Sequence, residues 1–148
     1  MITTFFQYVT SDSKLSELLD HYPYENKLKI FFGRPQAIDK EKQLNEKGSF
    51  IDYPYIVYNV VPLIQNEVTN EHRVQVTLVT ADEMQLSAIT SRLIELLDFK
   101  KLVTDRPSNL VNNQIILNSQ LMTGGSFLFH KNEKVFEQNQ YFLITLKG

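Results

Sequence analysis

Three histidines, His21, His72 and His130, are the side chains best suited to proton transfer or metal ligation near neutral pH. Each stands in a different segment, and none has a second histidine or a carboxylate three or four residues further along a shared helical face. Metal centres need convergent ligands, and this spacing supplies none. His130, beside a turn, reads as a solvated strand end. Ser11, Ser13 and Ser87 lack the strand–turn–helix setting of a nucleophile elbow. Gly124-Gly125 lacks the spacing of a Walker or dinucleotide loop, and no helical pattern opens after it. The adjacent carboxylates Asp82 and Glu83 are accounted for by helix capping. With no cysteine in the chain, disulfides, thiolate metal sites and cysteine nucleophiles are all removed. Catalytic groups can converge from distant positions, so missing motifs do not disprove an enzyme; they leave that reading without positive support, and no metal, cofactor or catalytic residue is expected.

The elements that would have to position any site follow from periodicity. Ile2, Phe5, Phe6 and Val9 fall on one helical face, Thr10-Ser11-Asp12-Ser13 offers N-caps, and a second short helix carries Leu15, Leu18 and Leu19 inward before ending near Tyr22-Pro23. Leu28, Ile30 and Phe32 alternate as a strand that breaks at Gly33-Arg34-Pro35. From Tyr55 to Val61 nearly every residue is large and apolar, which suits a central strand covered on both sides. After the polar turn from Gln65 to Asn70, Val74, Val76 and Leu78 alternate with Arg73, Gln75 and Thr77, completing a hairpin.

The main helix is expected over about 82–98. Thr80 and Glu83 are spaced as a capping box, and Lys100-Lys101 lie just beyond the negative end. Leu86, Ile89, Leu93, Leu96 and Leu97 form its apolar stripe, with Ala88 at the edge allowing close approach. Three further strands are expected, Gln114 to Met122, Ser126 to His130 and Val135 to Lys147, with turns at Thr123-Gly124-Gly125 and at 131–134. The order indicates an α+β fold: a mixed, largely antiparallel sheet packed by one main helix plus short N-terminal helices, in a single domain over 1–148.

Composition narrows the function classes. A chain of 148 residues, 43% hydrophobic and 22% charged, can bury a core without staples. Net charge is −2 and pI about 5.9, with Lys100-Lys101 the one adjacent basic pair, so neither sequence-specific nor general nucleic-acid binding is expected. No apolar run approaches the roughly 18 residues of a membrane span, and Met1-Ile2-Thr3-Thr4 lacks the basic start of a signal peptide, so the expectation is a soluble protein resident where it is made, with no membrane partner.

The stretch over about 33–52 has no sustained period and holds Asp39, Lys40, Glu41, Lys42, Glu46 and Lys47. Such a segment cannot bury enough to order itself and reads as a long mobile loop, either a solvated insertion or an arm ordered by a neighbouring subunit. Among the 10 Phe and 7 Tyr, the group Tyr53, Tyr55 and Tyr58 fits a subunit boundary or a half-buried sheet.

The strand ending at Phe32-Gly33-Arg34-Pro35-Gln36, the strand Pro54-Tyr55-Ile56-Val57-Tyr58, the alternating Arg73 to Leu78, the Leu/Ile helix and the closing meander together resemble the tail terminator (tail completion, head–tail joining) proteins of long-tailed bacteriophages and prophages. The resemblance implies a mixed α/β fold, no catalytic residue and no cofactor. It also implies assembly as a ring, typically a hexamer, that caps the tail tube and joins it to the head. The implied partners are further copies of the chain, a tail tube protein and a head-completion or connector protein. The implied locations are the host cytoplasm during assembly and then the tail and neck of the virion. The connection from Ala37 to Tyr53 is longer than the family's usual one. Candidate contacts with a neighbour or the tube are Arg34, Asp39, Lys40, Glu41, Lys42, Lys47, Phe50 and Tyr53. Other readings are a head-closure or connector neck protein, and a small cytosolic enzyme or ligand-binding domain, which a deep pocket lined by a titratable pair would favour.

Overall fold

Strict alternation of Val74, Val76 and Leu78 with polar residues leaves a strand one face to bury, and that face organises the molecule. The computed structural model describes residues 1–19, 29–33, 53–132 and 134–148. In chain order the elements are α1 (Ile2–Thr10), α2 (Ser13–Leu19), β1 (Ile30–Phe32), β2 (Tyr55–Gln65), β3 (Thr69–Thr80), α3 (Glu83–Leu97), β4 (Leu110–Val111), β5 (Gln114–His130) and β6 (Val135–Lys147). The described strands form one six-stranded sheet in the order β1-β2-β3-β6-β5-β4, parallel at β1–β2 and antiparallel elsewhere. This is the α+β architecture that the sequence leads one to expect.

One face of the sheet carries Ile56, Tyr58, Val74, Val76, Leu78, Ile116, Phe142, Ile144 and Leu146 into a core shared with the helices. From α3 come Leu86, Ile89, Leu93, Leu96 and Leu97, each at most 9% exposed. Fully burying such a side chain contributes about 1.5–3 kcal/mol, so this stripe fixes the helix to the sheet. Ala88 is exposed, outside the contact expected of it. The α1 face is also rotated from the expected one. Phe5, Tyr8 and Val9 are buried, whereas Ile2 and Phe6 stay exposed. Tyr8 wins the inward position because its ring is apolar and its hydroxyl donates to the Leu96 carbonyl at 2.7 Å.

The expected Thr80/Glu83 box is not what starts α3. Asp82 is the N-cap, its side chain accepting from the Met84 amide at 2.8 Å, while the Thr80 hydroxyl accepts from the Asp82 amide and donates to Gln85. Asp at the N-cap places its carboxylate at the positive end of the helix dipole. No basic residue lies in the last turn of α3. Arg106 supplies that charge from the following loop, donating to the carbonyls of Glu95, Asp98 and Lys101, each at 2.7 Å.

Thr123-Gly124-Gly125 is not a turn. β5 runs continuously from Gln114 to His130 along β6, and these three residues form a bulge opposite Gln140, between the pairs Met122↔Tyr141 and Ser126↔Asn139. Gly124 supplies φ +101°, and a Cβ on Gly125 would lie 2.6 Å from the Asn139 carbonyl oxygen. A bulge demands the same backbone freedom as a hairpin, so the glycine pair is common to both. β2 is covered on both sides only over Ile56 to Tyr58, where three consecutive residues are buried. It lies second from the edge, and Val61 to Gln65 are exposed.

Away from the helices, the other face of the sheet carries polar side chains at its middle. Asn139 accepts from Thr77 at 2.6 Å and from Gln75 at 3.3 Å, and donates to Ser126 at 3.0 Å. Arg73 lies over the Tyr141 ring on the same face.

Candidate assembly surface

Among the described residues, no group of three or more His, Asp or Glu side chains is placed to hold a metal ion. His72 is buried on the helix side of β3 with Nδ1 unpartnered, and burial lowers its pKa. His130 ends β5, half-exposed, 3.9 Å from Glu137. His21 lies outside the described residues. The charged side chains that do converge are joined to one another. Arg92, 4% exposed, donates to both oxygens of Asp12 at 2.6 and 2.8 Å and also reaches Glu95 and Asp105. Lys14 and Arg92 hold the Asp105 carboxyl down at about 2. Asp12 also caps α2 by accepting from the Leu15 amide. The network therefore clamps α2 to α3. A cleft of about 310 Å³ between Tyr8, Phe99, Arg106 and Leu117 borders this region. Its guanidinium is committed to the end of α3, with the Phe99 ring 5.3 Å away, and its tyrosine is committed to Leu96 with a pKa pushed up to about 12 by burial.

Unsatisfied chemistry is found instead at the sheet's edges. On β5 the short strand β4 pairs only with Gln114 and Ile115. Asn109 then takes both backbone groups of Ile116, and the Phe99 amide takes the Ser119 carbonyl. From Gln120 to His130 the outer edge has no partner among the described residues. At its end Phe127, Leu128 and Phe129 are each about half exposed, with Phe127 and Phe129 flanking Phe136 at 5.8 and 4.9 Å. On β2 the short strand β1 pairs only with Ile56, Val57 and Tyr58. Beyond the Gly33 amide on the Tyr58 carbonyl, the edge from Asn59 to Gln65 has no partner among the described residues. It exposes Val61, Leu63 and Ile64, with Val68 beside them on the turn, 72% exposed.

Of the candidate contact residues, Arg34, Asp39, Lys40, Glu41, Lys42, Lys47 and Phe50 lie outside the described residues. Tyr53 is described, stacked on Tyr55 with ring centroids 5.8 Å apart. Tyr58 is a core residue, 2% exposed, whose hydroxyl donates to the Ile2 carbonyl. The open edges escaped sequence reasoning because strand order is a tertiary fact. A usable signal existed: neither β2 nor β5 contains an Asp, Glu, Lys or Arg.

No helix among the described residues is long and apolar enough to cross a membrane. No protein-family model matches the chain. No curated protein sequence matches it either. Among solved structures, a chain of the particle described as "Virion of native gene transfer agent (GTA) particle" shares the fold, with a TM-score of 0.61 and 11% identity over 99% of this chain and 93% of that one.

Proposed function

We propose that this chain is a structural component of a phage-like virion that assembles as a ring on the end of a tail tube and joins the tail to the head. The observation that carries the reading is the near end-to-end overlay on a chain of a virion particle, which leaves little of either chain unmatched. Two open strand edges with exposed aromatic and aliphatic side chains add to it, since surfaces of this kind suit binding to other proteins. The partners under this reading are further copies of the chain, a tail tube protein and a head-completion protein. The charged stretch from Asp39 to Lys47 provides a further contact that favours encounter rate and specificity over raw affinity.

The test is to add purified protein to polymerised tubes of the tail tube protein from the same phage or prophage and image them by negative-stain electron microscopy. A disc is expected at one end of each tube, together with arrest of further lengthening. Tubes that keep growing with bare ends would refute the tail-capping role. Binding to isolated heads and never to tubes would favour the head-closure reading instead.

A further inference from the structure

We infer that copies of this chain join edge to edge, the outer edge of β5 in one copy adding as a strand to the outer edge of β2 in the next. This rests on the reading of the chain as a self-assembling virion component and specifies the contact that would close its ring.

The first observation is where the charges are. Edge strands exposed to water normally carry Lys, Pro or inward-pointing charges that stop them from pairing with other chains. Here the charges are distributed the other way round, and Pro62 with the bulges protects only part of each edge. β3 and β6, in the middle of the sheet, carry Glu71, Arg73, Glu137 and Lys147, while β2 and β5 carry no Asp, Glu, Lys or Arg. β5 keeps this composition over 17 residues. Each edge has a bulge, at Leu63 just after Pro62 on β2 and at 123–125 on β5, so regular pairing is confined to the stretches beyond: Ile64 and Gln65, and Ser126 to His130. Those stretches hold the most exposed apolar side chains on their strands, Ile64 and Phe127.

The second observation is where the open edges lie. The pairings Tyr55↔Val79, Thr80↔Phe136 and Phe129↔Phe136 put Phe129 at the end of the sheet where β2 begins. Gln65↔Asn70, Asn70↔Leu146 and Ile116↔Leu146 put Gln65 at the end where β5 begins. β1 and the Gly33 amide cover the start of the β2 edge, and β4 with Asn109 and Phe99 covers the start of the β5 edge. The free halves therefore sit at diagonally opposite corners of one sheet. Two different patches facing away from each other are what a head-to-tail ring requires, whereas a twofold dimer would need only one. A rotation about an axis near the strand direction preserves that direction. β2 runs toward the Gln65 end and β5 runs away from it, so the joined strands are antiparallel. The diagonal offset becomes strand tilt, as in any closed barrel.

The test uses the full chain, which has no native cysteine. Leu63→Cys and Leu128→Cys are made singly and together and treated with a flexible bis-maleimide. Each single variant is expected to stay unlinked to itself, and the double variant is expected to give a ladder of covalent multimers. Self-linking of the Leu128→Cys protein would mean β5 pairs with β5 around a twofold axis, and would overturn the inference, as would a double variant that gives no ladder. In a second arm, Ile64→Lys and Leu128→Lys alter exposed positions, so circular dichroism should be unchanged. Alone, each should sediment as a monomer. Mixed, they should form dimers and nothing larger, because one intact interface remains between them. Tube capping that survives both lysine variants would refute the edge contact and leave the proposed function standing. Absence of capping by the unaltered protein would refute the function itself.

Discussion

Arg92 occupies a position on the buried stripe of α3 where an aliphatic side chain would ordinarily sit, and it is tolerated there because Asp12 meets it with two hydrogen bonds. A buried pair of this kind adds little over an apolar replacement, but removing Asp12 takes away two of the guanidinium's hydrogen bonds in the core and leaves it only the half-exposed Glu95 and Asp105 as acidic partners. Because those two partners remain, Asp12→Ala should cost about 3 kcal/mol in urea unfolding, the low end for a broken buried pair, of which roughly 1 kcal/mol reflects the lost α2 cap. The double variant Asp12→Ala with Arg92→Met should recover part of that loss, a coupling that a double-mutant cycle measures directly. This contact was not legible in the sequence. Leu86, Ile89, Leu93, Leu96 and Leu97 announce the helix by spacing alone, but nothing local ties residue 92 to a carboxylate eighty positions earlier.

Among the elements, β5 teaches most. Its glycine pair reads as a hairpin turn because turns and bulges share a demand for positive φ or close backbone approach, and only the register with β6 separates them. The bulge predicts its own sensitivity: Gly125→Ala must push a methyl group into the Asn139 carbonyl, at a cost of about 1–3 kcal/mol in thermal or denaturant unfolding. The hairpin of β2 and β3 was legible because its alternation is strict. β4 was not, since two residues carry no period. The α1 face was misassigned because Tyr8 counts as polar in a periodicity argument and yet packs as an aromatic.

At the scale of the whole molecule, the fold class followed from counting strands around one long helix, whereas the open corners followed only from the order in which the strands pair. Because the two edges left open among the described residues carry no Asp, Glu, Lys or Arg, joining them would bury apolar side chains and backbone groups with little pairing of ions. Salt screens contacts between exposed charges strongly and apolar contacts hardly at all. Self-assembly should therefore change little as ionic strength is raised severalfold from low to well above physiological. Sedimentation velocity across a sodium chloride series checks this, and dissociation of the assembly by moderate salt would point to the charged Asp39 to Lys47 stretch as the principal contact.

The amide and hydroxyl cluster of Gln75, Thr77, Ser126 and Asn139 on the helix-free side of the sheet has a consequence of its own. Such side chains hold water well, and the guanidinium on the same face, Arg73, lies over the Tyr141 ring. A partner laid against that side would first have to strip water from amides and hydroxyls, so the apolar strand edges are the less costly places for another molecule to settle.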